Sequence, residues 1–145
     1  DINVKSSILN ACEVTSDDVP NLIDELPILF IACTFAEWNS VFNDIGELRH
    51  KESDRLKAMQ EGLNKMKIKN SVDDNVFYIE GNGKDYKSPS FLAKTYYDHR
   101  IAMSYAIAGL NSSSFIEIAS PESINTSFPE FIELGKKLGC NFEIS

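Results

Sequence analysis

One run of elements occurs twice in this chain, and that repeat limits the fold more than any other feature. Asp24 and Asp98 each open a strongly apolar helical run, and Asp98 follows Asp24 by 74 positions. At the same offset, the strand-like residues 41–45 map onto 115–119, the helical run 52–66 onto 126–140, and the strand-like 67–71 onto 141–145. An offset kept across four elements without gaps predicts two copies of one supersecondary unit. The expected fold class is therefore α/β (α+β), with repeat one at about 1–80 and repeat two at about 81–145.

Between these anchors the chain reads in order. Residues 1–9 alternate weakly through Ile2, Val4 and Ile8 and predict a strand; 10–21, polar and carrying Pro20, predicts a connection. Residues 22–36 are apolar on nearly every side, which predicts a buried helix. Pro27 is tolerated in its first turn, and Asp24 and Glu25 suit the positive end of its dipole. An acid there is either a helix cap or a carboxylate held at the edge of a dry site, able to act as a base. Residues 40–45 predict a strand, then 52–65 a helix whose Leu56, Met59, Leu63 and Met66 make one apolar face. Residues 67–71 and 76–80 predict a hairpin turning at Asp73-Asp74-Asn75. Residues 81–97 predict a loop, and its Gly-Asn-Gly is too short and misplaced for a nucleotide-binding turn. Residues 98–110 predict a second mostly apolar helix capped by Asp98, and 114–119 a strand. Residues 127–138 predict an amphipathic helix with Pro129 in its first turn and Gly139 as its stop, and 141–144 a closing strand.

Charge then separates the function classes. A net charge of −8 argues against a general binder of nucleic acid or of anionic membranes. Against that background Arg49, His50, Lys51 and Arg55 form one basic cluster, and His99 and Arg100 a second. A basic pocket in an acidic protein suits a small anionic ligand, whereas the plainer alternative is a solvated face of scattered charge. Three cysteines without a CxxC spacing predict a reducing, cytoplasmic setting, with Cys33 as a small core residue. Two histidines far apart argue against a zinc site. The longest apolar run, 26–36, falls short of the roughly 20 residues that span a bilayer. The chain begins at Asp1 without a methionine and is read as a cut rather than a natural start.

The densest chemistry lies in Lys51-Glu52-Ser53-Asp54-Arg55. Glu52 and Asp54 suit a helix start, but a cation in the first turn, as Arg55 is, opposes the macrodipole by a few tenths of a kcal/mol or more. An anion bound at the helix start would reverse that penalty, because Arg55 and the free backbone N–H groups would both face it. The alternative is a surface pair between Arg55 and Glu52 or another acid. Asp98-His99-Arg100 repeats the arrangement at the second apolar helix.

Lys51-Glu52-Ser53-Asp54-Arg55-Leu56, Asp98-His99-Arg100-Ile101-Ala102-Met103 and Ser127-Phe128-Pro129 resemble, in order and spacing, the C-terminal part of the 5-enolpyruvylshikimate-3-phosphate (EPSP) synthase family. Residues 20–27, Pro-Asn-Leu-Ile-Asp-Glu-Leu-Pro, look like its aspartate-bearing segment, and the likeness runs along essentially the whole chain. The resemblance implies an enzyme about three times this length, with two domains each built from three βαβαββ-type units, helices inside and sheets outside. This chain would hold two of the three units of the C-terminal domain, lacking the N-terminal domain that completes the site.

The resemblance further implies transfer of the enolpyruvyl group of phosphoenolpyruvate to the 5-hydroxyl of shikimate 3-phosphate, with release of phosphate and no metal or organic cofactor. By the same likeness Asp24 is the base toward the hydroxyl and a substrate contact, and Glu52 moves the proton at C3. Lys51 contacts the shikimate substrate, Arg55 and Arg100 bind the carboxylate and phosphate of phosphoenolpyruvate, and His99 lies at the same site. Where part of the family carries a lysine before the Thr/Ser-Phe-Pro triplet, this chain has Thr126, as other members do. The competing expectations are the sister enzyme acting on UDP-N-acetylglucosamine, which lacks the two charged motifs, and a non-catalytic anion-binding module of the same fold. The piece alone is expected to be inactive.

Overall fold

A computed structural model describes residues 1–3 and 5–144. In chain order the elements are β1 (Glu13–Val14), α1 (Val19–Leu22), α2 (Leu26–Thr34), β2 (Asn39–Phe42), α3 (Arg55–Lys65), β3 (Asn70–Asp73), β4 (Val76–Glu80), β5 (Phe91–Ala93), α4 (His99–Gly109), β6 (Ile116–Ile118) and α5 (Phe131–Lys137). Short 3-10 helices, Gly46–His50 and Pro121–Thr126, precede α3 and α5. One sheet has the order β1-β2-β4-β3, with β1 parallel to β2 and the other pairs antiparallel; β5 and β6 form a second, parallel pair. The mixed α/β class expected from the repeat is the class observed. No described helix is long and apolar enough to cross a membrane.

Helix α2 sits under the first sheet because its sequence leaves it no polar face to expose. Leu26, Phe30, Ile31 and Cys33 are buried, and Thr34, the one hydroxyl, satisfies itself on the Ile31 carbonyl at 2.8 Å. Phe30 meets the rings of Phe42 and Phe77 edge-on, with centroids 4.7 and 5.0 Å away, joining α2 to β2 and β4. Leu56, Met59, Leu63 and Met66 of the α3 face are all fully buried, as their spacing predicts. Helix α4 buries Ile101, Ala102, Tyr105 and Ala108, and the Tyr105 hydroxyl donates to the Met59 carbonyl of α3 at 2.8 Å. Gly62 makes that crossing possible: a Cβ there would lie 1.9 Å from the Tyr105 oxygen. The starts of α2, α3 and α4 are thereby gathered at one end of the core.

Several boundaries differ from the sequence reading. The expected strand over 1–9 is not a strand in its described residues, and Val4 lies outside them. Ile2 and Ile8 are exposed, whereas residues 9–14, within and beside the expected connection, pair with 37–43 through bonds such as Ala11 N–H to Glu37 O at 2.8 Å. Parallel pairing with a central strand outweighs weak alternation at a terminus. Helix α3 starts at Arg55 rather than Glu52, because the Asp54 side chain caps it by accepting from Lys57 N at 3.0 Å. Strand β3 starts late because Lys67 takes a left-handed φ of 65° just past the end of α3. The expected loop 81–97 contains β5, whose three residues are too short to show a period. Helix α5 starts beyond Pro129 and buries none of its residues, so the reading of buried helices holds for α2 and α4 and not for α5. Residues 141–144 form no strand, and Ser145 lies outside the described residues.

Candidate active site

Arg55 occupies the centre of the charged cluster. Its side chain is 1 % exposed, the largest of the fully buried side chains, and each guanidinium nitrogen faces a carboxylate. Nε donates to Asp98 Oδ2 at 2.8 Å, one terminal nitrogen donates to Asp24 Oδ1 at 2.9 Å, and the other donates to Glu52 Oε2. The three carboxylates are not equivalent. Asp98 is fully buried, while the side chains of Asp24 and Glu52 are 44 % and 53 % exposed. One face of Arg55 is thus locked into the protein and the other is covered by acids that water can reach.

Asp98 ties the starts of α3 and α4 together. Its Oδ1 accepts from Arg100 N at 2.9 Å, capping α4, and its Oδ2 accepts from Ser53 Oγ at 3.0 Å as well as from Arg55. Arg100 reaches from α4 to the start of α2, donating to the Asp24 carbonyl at 2.8 Å and to Glu25 Oε1 at 3.2 Å, with Asp24 Oδ2 3.6 Å away. Neither Asp24 nor Glu25 caps α2 with its side chain. Asp24 instead faces cations. Desolvation pushes its pKa up, but the Arg55 hydrogen bond and the charges of Arg100, Arg55 and Lys51 outweigh that and hold it below the usual carboxylate value. Burial likewise works against the charge on Arg55, and Asp98, then Asp24 and Glu52, reverse it, so its pKa is raised.

Of the residues singled out in the sequence, Asp24, Glu52, Arg55 and Arg100 share this one network. Lys51 lies beside it, half-buried, with Nζ 2.6 Å from Glu47 Oε1. His99 is the first residue of α4 and half-buried; no side-chain hydrogen bond to it is found among the described residues. The basic cluster around Arg49 disperses, since Arg49 turns to the Asp74 carbonyl of the hairpin at 2.9 Å. A groove of about 230 Å³ opens from Asp24, Glu25 and Arg100 along the apolar side chains of Ile28, Met103 and Phe128. Asp98 and Ser53 are the members that sequence reasoning undervalued. Asp98 reads as an ordinary cap, and only the buried run that follows it hinted that its carboxylate is buried too.

Chemically the cluster offers two guanidinium groups, three water-accessible carboxylates (Asp24, Glu25 and Glu52) and a lysine within one solvent-edged patch. Such a set can bind an anion bidentately and move protons beside it.

Residues 1–134 match the family model described as EPSP synthase (3-phosphoshikimate 1-carboxyvinyltransferase). The chain is 38 % identical over 144 residues to a 3-phosphoshikimate 1-carboxyvinyltransferase of Ruthia magnifica, covering 99 % of this chain and 33 % of that protein. Superposition on a 2.37 Å structure of EPSP synthase from Acinetobacter baumannii gives a TM-score of 0.90 at 41 % identity, covering 95 % of this chain and 32 % of that one. The enolpyruvyl transferase NikO from Streptomyces tendae shares the fold at a TM-score of 0.67 and 20 % identity, over 94 % of this chain and 30 % of that one. The chain spans about a third of the length of the curated relatives it matches.

Proposed function

The chain belongs to the EPSP synthase family, and on that premise we propose that the whole protein transfers the enolpyruvyl group of phosphoenolpyruvate to the 5-hydroxyl of shikimate 3-phosphate, releasing phosphate. The observation that carries this reading is the convergence of Asp24, Glu52, Arg55 and Arg100, from the starts of three helices, on one hydrogen-bonded cluster. The reaction needs cations for a carboxylate and a phosphate, and separate groups to remove and deliver protons. The cluster holds both kinds.

Asp24, kept ionised by its cationic neighbours, takes the hydroxyl proton as the oxygen attacks C2 of phosphoenolpyruvate. Glu52 shuttles the C3 proton: one passes through it to C3, giving a tetrahedral intermediate, and one returns to it from C3 as phosphate leaves, the departing phosphate taking the hydroxyl proton held by Asp24. Arg100 and Arg55 bind the carboxylate and phosphate of phosphoenolpyruvate, Lys51 contacts the shikimate substrate, and His99 borders them. An incoming anion takes the places of Asp24 and Glu52 on the two terminal nitrogens of Arg55, since those are the carboxylates that reach water. Asp98, buried on Nε, keeps the guanidinium aimed. Displacement releases Asp24 and Glu52 for proton transfer at the moment substrate arrives.

We further propose that the chain is two of three similar units of a C-terminal domain, divided near residue 80. Supporting this, α2 moved by 74 positions along the sequence falls on α4, and α3 falls on α5; each apolar helix also lies in the chain between two strands that pair in parallel, β1–β2 around α2 and β5–β6 around α4. We also propose a cytoplasmic setting, for which the three free thiols are the support. The remainder of the protein supplies the rest of the site, so this chain alone is inactive, half a site being open to water.

The test is phosphate release from shikimate 3-phosphate and phosphoenolpyruvate, run on the intact gene product, on this chain and on Glu52→Gln in the intact protein. The expected result is activity in the intact protein alone, reduced about 100-fold or more by the substitution. A well-folded intact protein that binds both anions without releasing phosphate would overturn the reading in favour of a binding module.

A further inference from the structure

Away from the charged cluster, Cys12 and Cys33 bring their sulfurs to 3.7 Å. Cys12 directly precedes β1 and is half-buried; its N–H donates to Ser40 Oγ at 3.1 Å and its carbonyl accepts from Val41 N at 3.0 Å. Cys33, buried, lies on the last turn of α2. The backbone is held on both sides, so the sulfurs meet because the fold puts them there. Neither cysteine takes part in the Arg55 network.

We propose that Cys12 and Cys33 form a redox modification site, converted by a low-molecular-weight disulfide into an intramolecular disulfide. The sulfurs already stand at van der Waals contact, and the bond that joins them is about 2.05 Å long. Cys12 is the partly exposed member and meets the oxidant first. Its thiolate attacks one sulfur of the reagent RSSR, forming a mixed disulfide and releasing RSH. The Cys33 sulfur then attacks Cys12 Sγ, expelling the second RSH. Two protein thiols are oxidised by two electrons, one RSSR is reduced to two RSH, and each released thiol carries one of the protons. Burial, with a smaller contribution from Cys12 and against a hydrogen bond with Ser40, pushes the Cys33 thiol up to about 12. That shift slows Cys33 as an attacking thiol in either step, and what makes it the resolving member is its 3.7 Å contact with Cys12 Sγ inside the fold.

The bridge would close a ring around residues 12–33. That ring contains α1 and the Asp24-Glu25 segment whose carboxylates hold Arg55 and Arg100. Oxidation thus ties both ends of the segment that presents those acids.

The experiment treats the folded 145-residue chain with excess oxidised glutathione, blocks free thiols with an alkylating agent and maps the peptides. The expected product links Cys12 to Cys33, leaves Cys140 outside the bridge, and unfolds at a temperature about 5 °C or more above the reduced chain. Cys140→Ser leaves the bridge intact, whereas Cys33→Ser stops at a glutathione adduct on Cys12. Cys12→Ala, a second route should Cys33→Ser fold poorly, leaves Cys33 unmodified. Recovery of Cys12 and Cys33 as separate alkylated or glutathionylated residues from protein that stays folded would overturn the proposal. So would a bridge that uses Cys140.

Discussion

Replacing Asp98 by Asn tests the architecture of the charged cluster with the least change of shape. The amide oxygen can still accept from Arg100 N, so the α4 cap survives. The other end then presents an NH2 to Arg55 Nε, donor against donor, where the carboxylate had accepted at 2.8 Å. Ser53 can rotate its hydroxyl and adapt, but Arg55 cannot, because its side chain is 1 % exposed. Breaking one partner of a buried ion pair typically costs about 3–5 kcal/mol, a large share of the roughly 5–15 kcal/mol that holds a domain folded. The two exposed carboxylates still neutralise Arg55, which puts the expectation at the lower end, about 3 kcal/mol. At a slope of about 2 kcal/mol per M, the urea midpoint falls by about 1.5 M. A double-mutant cycle with Arg55→Met isolates the pair, since the double variant buries no orphaned charge. It should be more stable than the sum of the single losses by about 2 kcal/mol or more. Additivity within about 0.5 kcal/mol would refute the claim that Asp98 acts through Arg55.

Three other outcomes follow from the same structure. Asp24 has a lowered folded-state pKa, so the stability it contributes is present above its unfolded value and is lost as pH falls through the folded one. The stability gap between wild type and Asp24→Asn, read from urea midpoints, should hold steady above about pH 5 and close below about pH 4; a gap that widens in acid would contradict this. Gly62→Ala places a Cβ 1.9 Å from the Tyr105 oxygen, inside a core where Tyr105 is fully buried, so the melting temperature should fall by the equivalent of about 1–3 kcal/mol. Gly139→Ala meets no atom within 4 Å but sits at a φ of 90°, so a purely conformational loss of about 1 kcal/mol is expected, measured by thermal denaturation.

The helices were the most legible part of the chain, and the reasons are local. Helix α2 has no polar side to turn outward, α3 has a regular buried stripe, and Asp98 precedes a run that can only cap and bury. The terminal strand was misread because three apolar residues alternate over 1–9, while what decides pairing is the company of β2 and lies 37–43 along the chain. Strand β5, at three residues, holds too little pattern to register. The candidate site divides along the same line. The presence of Glu52, Arg55, His99 and Arg100 at helix starts is written in the order of residues. The sequence left Arg55 either open to an anion or paired on the surface. The fold instead encloses it and sets three carboxylates around it, each from a different stretch of chain or turn.

The sequence by itself determined the mixed α/β class, the two apolar helices, the acids and cations at their starts and the family to which the chain belongs. These follow from periodicity, capping and short motifs, all of which act over one or two helical turns. Only the tertiary structure decided that Asp98 is buried while Asp24 and Glu52 reach water, that Arg100 turns back onto the Asp24 carbonyl, and that Cys12 lies against Cys33. Burial and ion pairing depend on which segments lie side by side. Partners such as Arg55 and Asp98, 43 residues apart, meet only when the helices pack.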